Sequence, residues 1–134
     1  MNPITLAGYD HDAWYKTFEQ LMEVQAAISD LVQEDNHAAT PENIRTFFLA
    51  LFVEVGECLN RLNWKPWKKP TTLDREAILD EAADMTAFWL QTCVILSDAV
   101  GATPQDILDA YLRKSAVNVA RFTGKVEGYG NIYG

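Results

Sequence analysis

The sequence predicts an all-α protein with four principal helices and no sheet. Three observations carry this. Apolar residues recur at helical spacing in four separate stretches. Helix-start signals, Asp10 or Asp12, Thr40-Pro41 and Thr103-Pro104, precede three of them. Nowhere does the chain alternate apolar and polar residues over a useful strand length.

Met1 to Tyr9 reads as irregular, with Pro3 and Gly8 against regularity. Helix 1 begins at a cap on Asp10 or Asp12 and runs to about Gln33, on the stripe Trp14, Phe18, Leu21, Met22, Val24, Ile28 and Leu31. A short loop follows, Glu34 to Ala39. Helix 2 starts with Thr40 as cap and Pro41 in the first turn and runs to about Leu62. Its apolar content is too broad for one face, which predicts a central helix. Two prolines, Pro66 and Pro70, end the helical pattern and stiffen the next loop. Thr71 or Thr72 is the expected cap of helix 3, which runs to about Asp98 and is nearly all apolar from Phe88 to Leu96. Thr103-Pro104 opens helix 4, with Asp106 placed to complete the cap, and the helix runs to about Thr123. The glycine-rich end, about 124–134, reads as a mobile tail able to order over a ligand.

At 134 residues the chain is expected to form one domain, 1–134, and an apolar share of 49% is enough for a core. Nineteen acidic against eleven basic residues give a net charge of −8, which argues against nucleic acid as a partner. Cys58 and Cys93 lie within apolar helical patterns and are expected to be reduced, buried thiols. There is no basic-then-apolar leader and no apolar run of membrane-spanning length, so a soluble, cytoplasmic protein without a membrane partner is expected.

The chemistry gathers between Glu54 and Asp84. Glu54 and Glu57 are spaced i, i+3, and so are Glu81 and Asp84. On a helix this spacing stacks each pair on one face. Both pairs lie in strongly apolar surroundings, where carboxylates are costly unless compensated. Hard oxygen ligands in such an array suit Mg²⁺; the other reading is the polar edge of two amphipathic helices. Gly56, between the first two glutamates, admits either close helix packing or close approach of a ligand. From Arg61 to Lys69 lie four of the eleven basic residues, interleaved with Trp64 and Trp67. This loop either neutralises phosphates or covers a core edge. Gln25 is either a solvated neighbour of the helix 1 stripe or a reader of a base edge. Tyr111, Lys114, Asn118 and Arg121 form one polar stripe on helix 4.

These segments resemble the all-α nucleoside triphosphate pyrophosphatases, the MazG-like superfamily marked by Glu-x-x-Glu followed by Glu-x-x-Asp. Within it the match is to the dimeric dUTPases of kinetoplastids, some bacteria and many phages. Leu21-Met-Glu-Val-Gln25 is similar to the segment whose glutamine contacts uracil. Glu54-Val-Gly-Glu57-Cys-Leu-Asn60 and Glu81-Ala-Ala-Asp84 resemble the two metal motifs. Trp64-Lys65-Pro-Trp67-Lys68 resembles the aromatic-lysine segment between them, and Tyr111 to Arg121, followed by Gly128-Tyr129, the phosphate-binding helix and its tail. Ala87 departs from the pattern, since many dUTPases place a histidine there before the aromatic residue. That leaves room for a phage-type or divergent substrate preference. The inserted helices of the longer trypanosomal members are also missing.

The resemblance implies Mg²⁺-dependent hydrolysis of dUTP to dUMP and pyrophosphate. It assigns catalysis and metal binding to Glu54, Glu57, Glu81 and Asp84, with Glu54 also polarising the attacking water. It gives phosphate binding to Lys65, Lys68, Lys114, Asn118 and Arg121. Contacts to base and sugar fall to Gln25, Asn60, Trp64, Trp67, Phe88 and Tyr129. A homodimer is implied as well, in keeping with more apolar surface than one small bundle can bury. A broader pyrophosphatase acting on dCTP or modified nucleotides, and a non-catalytic helical regulatory or assembly protein, are the alternatives.

Overall fold

The computed structural model describes residues 10–32 and 38–124. Four helices account for most of them: α1 (His11–Val32), α2 (Pro41–Asn60), α3 (Arg75–Val100) and α4 (Pro104–Phe122). No strand occurs among the described residues. The expected tail, the first nine residues and most of the first loop lie outside them.

Each helix begins where a side chain satisfies its free N–H groups. The Asp10 carboxylate accepts from the Ala13 N–H at 3.1 Å. The Thr40 hydroxyl accepts from the Asn43 N–H at 3.1 Å, with Pro41 following. At α4, Thr103 and Asp106 form a reciprocal capping box. The Thr103 N–H donates to the Asp106 carboxylate at 2.8 Å, and hydrogen bonding to the Thr103 backbone, then to its side chain, holds that carboxyl below its ordinary pKa. At α3 the expected cap is corrected. Asp74, not Thr71 or Thr72, accepts from the Ala77 N–H at 3.1 Å. Thr71 is engaged instead by Asn63, whose amide nitrogen donates to the Thr71 carbonyl at 2.6 Å and whose Oδ1 accepts from the Thr71 N–H at 3.1 Å. This clamp closes the two-proline loop, and the carboxylate takes the positive end of the helix. Gly101, at φ 66°, ends α3 in the left-handed conformation that glycine adopts without strain.

The chain falls into two compact units. One contains the described residues of Met1–Gln20 and Ala102–Gly134. In it the Tyr15 hydroxyl donates to Asp109, tying α1 to α4, and this bond is the main reason the tyrosine pKa is raised. Leu112 and Phe18 are buried.

The other unit spans Leu21–Gly101 and carries the paired carboxylates. Here α2 and α3 pack side by side. They run antiparallel, since Glu57 meets Glu81 at one end while Phe47 shares a cavity with Phe88 and Gln91 toward the other. The later half of α3 supplies the buried residues, among them Leu90, Cys93 and Ile95. Both cysteines are free; Cys93 is buried, whereas Cys58 is only half-buried. Burial pushes the Cys93 thiol up to about 11, which keeps it protonated and inert.

α2 differs from expectation: it has no buried residue. Its apolar side chains Phe48, Leu49, Phe52, Val53 and Leu59 are exposed, Phe52 to 72%. By helical periodicity Phe48, Phe52 and Leu59 line the side opposite Glu54 and Glu57, with Leu49 and Val53 along its edge toward Glu57. Gly56 lies in the same stripe, and a Cβ built there meets nothing within 4 Å. Close packing against the described residues is therefore not what Gly56 serves. Among the described residues no single helix is long and apolar enough to cross a membrane.

Candidate active site

The i, i+3 spacing within each pair and the antiparallel seam bring the two acidic motifs face to face. One ligand oxygen from each of Glu54, Glu57 and Glu81 lies within 4.8 Å of the others. Asp84 lies outside this trio, but its charge bears on Glu54. Glu54 and Glu81 are half-buried, Glu57 and Asp84 exposed. The Glu54 carboxyl is raised above its ordinary pKa, first by loss of hydration. The charges of Glu57 and Asp84, a hydrogen bond with Glu57 and the charge of Glu81 then add to the shift. Its Oε2 is buried with no hydrogen-bond partner among the described residues. A buried carboxylate oxygen without a donor, inside a like-charged group, is the environment a divalent cation relieves. The donor set is all carboxylate oxygen, which suits a hard cation.

Arg61, the residue after α2, reaches this cluster: its Nε lies 3.3 Å from Glu81 Oε1. The pairing fixes one oxygen of Glu81 and offsets part of the local negative charge. In the sequence Arg61 is one of four loop cations, and nothing there distinguishes it from the lysines.

Beyond Arg61 the chain folds into the clamped loop. A cavity of about 310 Å³ is lined there by Asn60, Asn63, Trp64, Lys65, Lys68 and Lys69, with Leu62 and Thr71. The Trp64 indole N–H donates to Asn60 Oδ1 at 3.3 Å. Trp67 meets Trp64 edge to face at 5.7 Å, and the Lys65 ammonium sits 5.5 Å from the Trp64 ring centroid. The loop thus holds one of its cations, Lys65, against an aromatic face.

Along the same seam, toward the start of α2, lies a second cavity of about 330 Å³. Ile28, Ser29 and Val32 of α1, Phe47 of α2, and Ala87 and Phe88 of α3 wall it, with Gln25 and Gln91. Phe47 precedes Glu54 by seven residues and Gln91 follows Asp84 by seven. Each therefore sits on its motif's own helix face, two turns or about 10 Å away. Gln25 and Phe88, expected at the base, meet in this cavity; Trp64 and Trp67 do not line it. Gln25 Nε2 donates to Gln91 Oε1 at 3.3 Å, and Gln91 is only 4% exposed. Sequence reading passed over Gln91. The available signal was a single amide inside the apolar run Phe88–Leu96, in phase with Asp84.

On α4, Tyr111, Lys114 and Asn118 are exposed and Arg121 is half-buried, at the helical spacing of one stripe. Tyr129 lies outside the described residues.

No curated protein and no solved structure matches the chain. A family model does: the one described as dUTPase aligns with residues 17–100, well over half of the sequence and all of the acidic seam. The two acidic motifs and the four-helix architecture of the described residues agree with that match. The chain belongs to the dUTPase family: it is an all-α enzyme that hydrolyses dUTP to dUMP and pyrophosphate.

Proposed function

We propose that hydrolysis takes place at the seam of α2 and α3, with Glu54, Glu57, Glu81 and Asp84 as the groups that hold Mg²⁺. The observation that carries this reading is the trio of oxygens within 4.8 Å around a Glu54 carboxyl that is short of hydrogen-bond donors. Bound Mg²⁺ supplies Lewis-acid charge at the phosphate oxygens. Glu54 polarises the water that attacks the α-phosphorus, releasing pyrophosphate and leaving dUMP. Lys65, Lys68, Lys114 and Arg121 neutralise phosphate oxygens, and Asn118 donates a hydrogen bond to them. The base enters the cavity of Gln25 and Phe88. Asn60, Trp64, Trp67 and Tyr129 complete the base and sugar contacts.

The working form is a homodimer joined through α2. Support comes from the continuous apolar stripe Phe48, Leu49, Phe52, Val53 and Leu59, all exposed in the single chain. Such a stripe marks an interaction surface, and closed two-fold pairing is the commonest way to cover one. Several of the assigned contacts then come from opposite subunits.

Pyrophosphate release from dUTP, dCTP, dTTP and UTP, each with and without Mg²⁺, tests the assignment. dUTP is expected to lead, with no turnover when Mg²⁺ is withheld. Equal kcat/KM for dCTP or UTP points to a broader pyrophosphatase, and no turnover of any nucleotide to a non-catalytic helical protein.

A further inference from the structure

Gln25 alone cannot choose between uracil and cytosine. Uracil offers a donor at N3 beside an acceptor at O4; cytosine offers the reverse. A side-chain amide carries both functions and satisfies either base by turning over. What decides is whether the amide is free to turn. In this structure it is tied: Gln25 Nε2 donates to Gln91 Oε1 at 3.3 Å. If Gln25 turns over alone, two carbonyl oxygens face each other. If both turn, the Gln91 amide must rotate in a position only 4% exposed, where lost hydrogen bonds are not replaced by water.

We infer that Gln91 is a positioning residue for base selection, locking the Gln25 amide so that its remaining N–H and its oxygen present the order uracil requires. The inference rests on the proposal that Gln25 reads the base. Gln91 need not touch the nucleotide. It acts from α3 through one hydrogen bond, on the same helix face as Asp84 and two turns away, so one bound nucleotide spans both.

The test compares kcat/KM for dUTP and dCTP at fixed Mg²⁺ in the full chain, with Gln91→Met and Gln91→Glu. Methionine keeps the volume and removes the acceptor. It is expected to lower the dUTP-to-dCTP ratio by roughly tenfold, the scale of one lost buried hydrogen bond. The change is expected in KM, with kcat for dUTP near the parent value. Ionised glutamate has only acceptors and its protonated form keeps a carbonyl acceptor, so either still holds the Gln25 N–H, and the ratio is expected to stay at or above the parent's. In a Gln25→Met background, Gln91→Met is expected to leave the ratio where Gln25→Met put it.

An unchanged ratio in Gln91→Met, or a fall in Gln91→Glu, overturns the inference and leaves the dUTPase site standing. Should Gln91→Met fail to fold, Gln91→Leu, which also lacks the acceptor, takes its place and is expected to show the same fall. A parent enzyme whose ratio is insensitive to Gln25→Met removes Gln25 as the base reader, and the inference with it.

Discussion

At Glu54, burial and three neighbouring acids act together to favour the neutral form over the carboxylate. Its folded-state pKa is raised above the ordinary value of 4.5. A carboxyl raised in this way supports folding fully below its unfolded pKa. That support is lost as pH climbs through the folded value. Metal-free protein is therefore expected to lose thermal stability relative to Glu54→Gln as pH rises from below 4.5 toward neutrality. The glutamine is uncharged throughout. Melting both proteins in chelator over a pH series checks this, and a constant difference between them refutes it. Asp84 is the complementary case, an exposed acid whose charge burdens Glu54. Asp84→Ala is expected to abolish pyrophosphate release while leaving the metal-free melting temperature unchanged or slightly raised. Near-parental activity in this variant removes Asp84 from the metal site.

Few of the described side chains are buried, and each helix start is held by a side-chain cap. α2 shows this most plainly, with no buried residue over its whole length. Thr40 holds its first turn through the bond to Asn43. Thr40→Ala is expected to cost about 1 kcal/mol in chemical denaturation, with kcat for dUTP preserved because Thr40 lies far along α2 from the carboxylates. Loss of catalysis without loss of stability contradicts that separation. The element scale also shows where sequence reading slipped. Thr71 looked like a cap because threonine before a helical stretch is a cap signal. Its polar groups were already committed to Asn63, eight residues earlier, and a contact of that range leaves no local trace.

For the whole molecule, the broad apolar content of α2 suggested a central helix; instead the stripe faces outward in the single chain. Gly56 sits in the stripe with open space above it. Under the dimer proposal that space admits the backbone of a second copy. Gly56→Leu adds a side chain at a position where a Cβ meets nothing within 4 Å among the described residues. It is expected to shift the protein toward a mass near the 15.1 kDa of one chain, with helical content unchanged by circular dichroism. Sedimentation at micromolar concentration reads the mass. A parent that already sediments as one chain, or a Gly56→Leu variant that still pairs, removes α2 from the interface.

The sequence by itself determined the four helices, three of their starts and the pairing of Glu54 with Glu57 and of Glu81 with Asp84. Each is local: periodicity, caps and i, i+3 spacing are complete within one turn or a few. Tertiary structure alone decided that Glu54, rather than Glu57, holds the donor-starved oxygen, that Arg61 reaches Glu81, and that Gln25 is tied to Gln91. These depend on the antiparallel register of α2 against α3 and on the placement of Gln25 beside α3. Residues twenty and sixty-six positions apart become neighbours only when the chain doubles back, and no local pattern encodes which side chain lands on which.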